Sequence, residues 1–381
     1  MLALVYGAFI SLGLPDSVLG VAWPRMRLDL DRPLAAAGLV TFILTACSAA
    51  SGFASEFVLA RLGTGRVVAI SGFLTALALL GFGFAPTFGW ILLLAVPLGL
   101  GAGAVDAGLN HFVARHYAAR HMNWLHGCWG IGATLGPMVM GVALAHGLGW
   151  QGGYRGIGVI QLMLALVFLI NLRLWQHEPE RPVHAQATQV DAPMHRRTPA
   201  WAPWGAASLY LVYTSVELGT GLWAASILVE GRGKSVAGAG VWVACFYGAI
   251  MAGRFAVGVV AERMGNRRLV RAGLAIAVLG AVLFAMGPLP EALSLLGLVL
   301  LGLGCAPIYP SLMHETSRRF DADTARRVIG RQVAFSYLGC ALGPAALGLL
   351  AGRWGLWTIM PTVVLGLLLM LWMSWRLDRV T

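Results

Sequence analysis

Apolar residues in this chain come in runs too long and too continuous for a half-buried strand or for the one-sided stripe of a water-soluble helix. They cover 3–24, 34–60, 67–86, 91–114, 125–146, 156–175, 204–228, 236–260, 269–288, 293–313, 332–352 and 356–375. Each run is close to the roughly 20 residues a helix needs to cross about 30 Å of hydrocarbon. The ten-residue segments of alternating polarity that mark a membrane β-barrel are absent. A span in lipid that is not part of a closed barrel must satisfy its own backbone hydrogen bonds, so the pattern predicts an all-α membrane protein with twelve transmembrane helices.

Composition agrees: 58% hydrophobic residues, 11% charged residues and a mean hydropathy of +0.76 exclude a chain dissolved in water. The net charge of +11 does not point to nucleic acid, because the arginines and Lys234 sit almost entirely at span ends and form no cluster interleaved with exposed aromatics. If the first span starts in the cytoplasm, nineteen basic residues fall on that side and seven on the other, with Arg254 inside a span. This asymmetry predicts that both termini are cytoplasmic. The first run has neither a basic leader nor a small-residue cleavage site and reads as a retained span. Cys47, Cys128, Cys245, Cys305 and Cys340 all lie in spans without metal-ligand spacing and read as apolar packing residues, so no metal is expected. No hydrolase elbow, zinc-protease, dinucleotide or Walker motif occurs, which predicts that the protein is no enzyme and uses no cofactor. Without a phosphate loop, any accumulation it drives must draw on an ion gradient.

The one long polar stretch, 176–203 (QHEPERPVHAQATQVDAPMHRRTPAWAP), reads as a linker between halves 1–175 and 204–381. The halves share three blocks in the same order. At an offset of 202, Arg61, Gly63 and Arg66 fall on Arg263, Gly265 and Arg268; at 203, Gly99, Gly101, Leu109 and His111 fall on Gly302, Gly304, Leu312 and His314. At 207, Gly132, Leu135, Gly136, Pro137, Gly141 and Trp150 fall on Gly339, Leu342, Gly343, Pro344, Gly348 and Trp357. Parallel repeats of six spans place a solute site between the halves near the midplane, where one half can rock against the other.

Twelve spans, a central linker and the loop Gly258-Val-Val-Ala-Glu262-Arg263-Met-Gly265-Asn-Arg267-Arg268 resemble the major facilitator superfamily, whose loop between spans 8 and 9 reads G-x-x-x-[DE]-R-x-G-x-[RK]-[RK]. The first-half loop departs from that pattern, with Glu56 in the glycine position and Ala60 in the acidic one. Such loops are latches, so Glu56, Arg61, Arg66, Glu262 and Arg263 are gating candidates. Arg254 joins them, either paired with the Glu262 loop, which snorkelling toward the interface favours, or binding an anionic solute. Asp16, the stretch Asp106-Ala-Gly-Leu-Asn110 and Asn123 in span 5 are similar to the fucose permease branch of sugar–proton symporters. His126 and Trp129 depart from that branch, which has an amide and an asparagine there. The resemblance implies alternating access in a bacterial cytoplasmic membrane, a protein that works as a monomer, and protons in preference to sodium as the driving ion.

The residues themselves give the chemistry. A carboxylate in the bilayer costs at least about 2.5–3.5 kcal/mol and needs a cavity, a partner or a proton. Asp106 shares a helix stripe with Asn110, beside a close-packing stripe of Gly99, Gly103 and Ala107. Asp16 follows Pro15, where the first helix is expected to bend, and Glu217 holds a comparable depth in span 7, near Tyr213. These three acids are the proton candidates, or else carry fixed structural hydrogen bonds. Asn110, His126, Trp129, Trp223, Tyr309, Gln332 and Tyr337, with Ser336, are candidate ligands for a solute whose hydroxyls need donors and acceptors and whose C–H faces stack on rings. His314 and Glu315 read as latch or surface residues. The resulting expectation is a proton-coupled symporter of a sugar or similar polyhydroxylated solute. A proton-driven exporter of amphiphilic compounds and a transporter-like sensor stay open beside it.

Overall fold

The computed structural model describes residues 1–117, 119–176, 199–287 and 289–381, all helix, turn or loop. Among them, twelve helices are long and apolar enough to cross a membrane: span 1 (Leu2–Asp29), 2 (Ala36–Leu62), 3 (Thr64–Phe82), 4 (Phe88–Asn110), 5 (Trp124–Ala145) and 6 (Gly149–Ile170), then 7 (Ala202–Val229), 8 (Val236–Ala261), 9 (Asn266–Ala285), 10 (Glu291–Arg319), 11 (Asp323–Trp354) and 12 (Leu356–Val380). Of the expected linker, 176–203, residues 177–198 lie outside the described residues, and its last two residues already belong to the helix of span 7.

Each apolar run sits in one of these spans, but several ends move. Span 6 starts at Gly149 instead of 156, span 10 continues to Arg319 instead of stopping at 313, and the helix of span 11 starts at Ala322 instead of 332. Hydropathy marks the hydrocarbon, whereas a helix continues wherever its backbone is satisfied. Asp321 caps the start of span 11 by accepting from the Thr324 N–H at 3.0 Å, and Arg326 and Arg327 are exposed on its first turns.

Two spans are broken, both at proline. Span 1 divides into Leu2–Asp16 and Val18–Asp29 beside Pro15, and span 10 into Glu291–Cys305 and Ile308–Arg319 at Pro307. Pro15 and Pro307 have no N–H for the carbonyls of Ser11 and Leu303, four residues back. Spans 2 and 8 end alike, at Gly63 (φ 75°) and Gly265 (φ 77°), and the next helix begins at the following residue. Only glycine takes that left-handed turn without strain, so the repeat seen in sequence is a repeat in backbone.

Within each half the helices approach closely through small residues. A side chain at Gly103 would collide with the Ser48 carbonyl, while Ser48 Oγ donates to the Gly99 carbonyl at 2.9 Å, joining span 4 to span 2 along the expected stripe. Spans 1 and 5 meet at Gly13 and Gly132, where Ser17 Oγ donates to the Ala133 carbonyl at 2.7 Å. The halves join along spans 5 and 8 and along spans 2 and 11, with Gly130 against Met251 and Gly38 against Ala345. At the end remote from the termini, Gly20 of span 1 packs under Gly221 of span 7, and Arg27 holds Glu230 by two hydrogen bonds of 2.9 and 2.6 Å. Toward the termini, Glu56 and Phe57 of span 2 are exposed.

Candidate functional site

The break in span 1 leaves Asp16 beside span 5. Its Oδ2 accepts the indole N–H of Trp129 at 2.7 Å. The other side of Trp129 belongs to the second half: the Arg254 guanidinium lies over the ring, 5.1 Å from its centroid, and Tyr247 meets it edge-on at 6.2 Å. Arg254 in turn donates from Nη2 to Glu217 Oε1 at 3.2 Å. An unbroken chain of acid, indole, guanidinium and acid therefore runs from span 1 through spans 5 and 8 to span 7, across the seam between halves. Glu217 is thus a partner of Arg254 that the sequence reading did not name. Glu217 is on a helix packed against span 8 at the same depth, and a guanidinium beside a buried carboxylate avoids the cost of desolvating either charge alone. The side chain of Glu262 lies outside the described residues, as does that of Asn123.

Asp106 is held by its own helix: Asn110 Nδ2 donates to its carboxylate at 3.0 Å and to its carbonyl at 2.9 Å. The expected acid–amide stripe is thus a closed pair. Tyr337 of span 11 reaches Gly52 of span 2 across the seam. Tyr309 sits just past the break in span 10, its carbonyl accepting from the Tyr210 hydroxyl at 2.9 Å and its ring 4.8 Å from that of Tyr210. His126 turns to span 1 and meets Phe9 edge-on, with centroids 5.6 Å apart.

Two expected ligands are not brought to this seam. Trp223, fully buried, donates its indole N–H to the Pro344 carbonyl at 2.9 Å, and Gln332, 1% exposed, donates to Thr316 Oγ1 at 2.7 Å. Both polar groups serve contacts inside the second half, where spans 7, 10 and 11 pack. Ser336 likewise donates to the Val333 carbonyl in its own helix at 2.8 Å.

At the termini end of the second half, arginines at the start of span 9 find two acids: Glu315, expected as a latch or surface residue and in fact buried, and Asp378, which the sequence reading missed. Arg267 donates to Glu315 at 2.5 Å, Arg271 donates to Asp378 at 2.6 Å, and Arg319 donates to the same Asp378. The spacing Glu315–Arg319 was a visible signal; Asp378, near the chain end, was not. Arg263 is exposed. In the first half, Arg61 lies over the ring of Phe57 at 4.0 Å, and Glu56 and Arg66 are exposed. The positions 203 residues before Glu315 and Arg319 are Phe112 and His116. Phe112 stacks on His116 at 4.2 Å and meets Trp175 edge-on at 5.1 Å, and Trp175 covers Gly65.

Among the described residues, no group of His, Cys, Asp and Glu could hold a metal ion. The Major Facilitator Superfamily matches residues 5–344 and, in a second alignment, 209–381. No curated protein matches the chain. Solved structures with the same fold include a bacterial homologue of the human lysosomal transporter Spinster, inward-facing and occupied (14% identity, TM-score 0.75, covering 100% of this chain and 96% of that one). The nucleoside transporter NupG is 15% identical with TM-score 0.74, covering 99% and 98%, and a D-xylose–proton symporter is 14% identical with TM-score 0.74, covering 98% and 96%.

Proposed function

The chain belongs to the major facilitator superfamily and is a membrane transporter of small solutes, not an enzyme; from this premise we propose that it couples protons to the uptake of a sugar or similar polyhydroxylated solute. The observation that carries the reading is the chain Asp16, Trp129, Arg254 and Glu217 across the seam. Two carboxylates at membrane depth share one guanidinium through an aromatic ring, so a change of protonation at either acid alters the contacts between the halves. Alternating access requires such a link between a proton and a rigid-body movement. Trp129 and Tyr309 supply ring faces, and Asn110, His126 and Tyr337 supply polar groups, on helices that converge on the seam. Similarity to a xylose–proton symporter and a nucleoside transporter supports a polyhydroxylated solute. Both termini are in the cytoplasm of a bacterial inner membrane on this reading. The Arg27–Glu230 clamp then closes the outer end, and solute reaches the seam from inside.

The test separates exchange from accumulation. In Asp16→Asn, counterflow of bound solute continues while pH-driven accumulation stops; accumulation at the parental level in both Asp16→Asn and Asp106→Asn sinks the coupling scheme. Net efflux of amphiphiles on an inward proton gradient would establish the exporter instead.

A further inference from the structure

The helix of span 12 has two stripes along its length. Val363, Leu367, Met370, Ser374 and Leu377 are buried against the bundle, whereas Leu365, Leu369, Trp372, Arg376 and Arg379, four and three residues apart in turn, are exposed along the opposite face. On a membrane-spanning helix the exposed stripe is the one that meets lipid. By Arg376 the helix Ile359–Val380 has risen about 26 Å at 1.5 Å per residue, so the two arginines emerge where the hydrocarbon gives way to headgroups.

These arginines differ from the others at this end of the second half. Arg267, Arg271 and Arg319 hold carboxylates. Arg376 and Arg379 make no ion pair among the described residues and lie over tryptophans, the first 5.6 Å from the Trp372 centroid and the second 3.4 Å from that of Trp375. Asp378, the acid between them in sequence, is turned inward, where Arg271 and Arg319 donate to its two oxygens. Trp372 and Trp375 are 55% and 40% exposed, so the rings hold the guanidinium groups at the lipid surface and leave their N–H edges open.

We propose that the end of span 12 is a binding site for the headgroup of an anionic phospholipid. Two guanidinium groups about 4.5 Å apart along the helix axis present forks of donors that match phosphate oxygens. The negative end of the helix dipole, about half a charge, leaves this pair of arginines strongly cationic. Leu365, Leu369 and Trp372 continue the same stripe into the hydrocarbon, where acyl chains of the same lipid lie against them. A free phosphate lacks those chains, and a zwitterionic lipid brings a cation of its own against the arginines. Because Asp378 anchors this helix end to spans 9 and 10, lipid held on its outer face steadies that corner. The inference goes beyond proton symport and does not depend on which solute is carried.

The test uses the purified full chain in a neutral detergent, with phosphatidylglycerol, phosphatidylcholine of the same acyl chains, or inorganic phosphate added. It reads the melting midpoint and the radioactive lipid retained on immobilised protein. The parent retains phosphatidylglycerol in preference to phosphatidylcholine and melts higher with it, while phosphate has no effect. Arg376→Gln with Arg379→Gln removes the preference, at roughly fivefold for each arginine, and leaves the midpoint in phosphatidylcholine unchanged. Arg326→Gln with Arg327→Gln, the same change of charge at exposed positions on the first turns of span 11, keeps the preference. Equal retention of the two lipids by the parent, an equal loss in the span 11 pair, or stabilisation by phosphate alone overturns the proposal. So does a full preference in Arg376→Lys with Arg379→Lys, which keeps the charge and loses the stacked fork. Should the double glutamine variant not fold, Arg379→Gln decides by the same readouts. Solute-driven proton influx is read separately, so failure here is distinguishable from failure of the symport reading.

Discussion

The two ends of the repeat that lie beside the termini occupy matching places and are built from opposite chemistry. In the second half Glu315, Arg319 and Asp378 form a buried charge cluster that Arg267 and Arg271, at the start of span 9, complete. In the first half the positions matching Glu315 and Arg319 hold Phe112 and His116, which with the nearby Trp175 form a stack of rings over Gly65. The backbone is common to both, as the paired turns at Gly63 and Gly265 show. Duplication therefore preserved a junction of helices and a loop, and each copy found its own means of closing it. Ion pairs demand register and break at once when one partner leaves, whereas stacked rings tolerate sliding. This comparison predicts that the second-half corner holds its shape and that the first-half corner yields in the rocking proposed above.

The largest expected effect comes from Asp378→Asn. It takes from Arg319, whose side chain is 3% exposed, its hydrogen-bonded carboxylate and leaves only Glu315 at 3.9 Å, at a cost of about 3 kcal/mol seen as a steep fall in the melting midpoint. A loss below about 1 kcal/mol would mean that the cluster is ornamental and the contrast empty. Next comes Trp175→Ala, which removes the ring over Gly65 at about 3 kcal/mol and, unlike the first, does so equally at low and high salt. A double-mutant cycle of Arg267→Gln and Glu315→Gln should give a coupling of about 0.5–1 kcal/mol that shrinks as salt is added, since Arg267 is 35% exposed. The smallest effect is that of Trp175→Phe, within about 0.5 kcal/mol, because the indole nitrogen has no hydrogen-bond partner to lose.

What the sequence disclosed depends on the range of the interaction. Spans, repeats and the bend beside Pro15 were legible from hydropathy, spacing and local geometry, whereas Pro97, Pro137 and Pro344 lie in unbroken helices and proline alone does not mark the break at Pro307. The stripe of Gly99 and Gly103 was legible for the same reason, since a helix face is fixed by its own period. The beginning of span 11 was not, because a capped helix rich in arginine extends past the hydrocarbon without any apolar signal. Partners between helices were hidden more deeply. For Arg254 the sequence offered the Glu262 loop or an anionic solute, and only the packing of span 7 on span 8 brings Glu217 to it. Trp223 and Gln332 looked like ligands by residue type, yet the contact that each makes depends on which way its helix is turned. The link from Asp16 to Trp129 joins the two residues whose family match was respectively good and poor. The tryptophan that departs from the sugar permease pattern is the one that bridges the halves.

The most direct test of proton coupling places the purified protein in liposomes with a pH-sensitive dye inside and records acidification as sugars and nucleosides are added outside one at a time. The account predicts acidification by at least one polyhydroxylated solute, abolished in Asp16→Asn and strongly reduced in Trp129→Phe, which removes the N–H that Asp16 accepts. Solute uptake without any movement of protons, or acidification that is equal in Asp16→Asn and the parent, would contradict it.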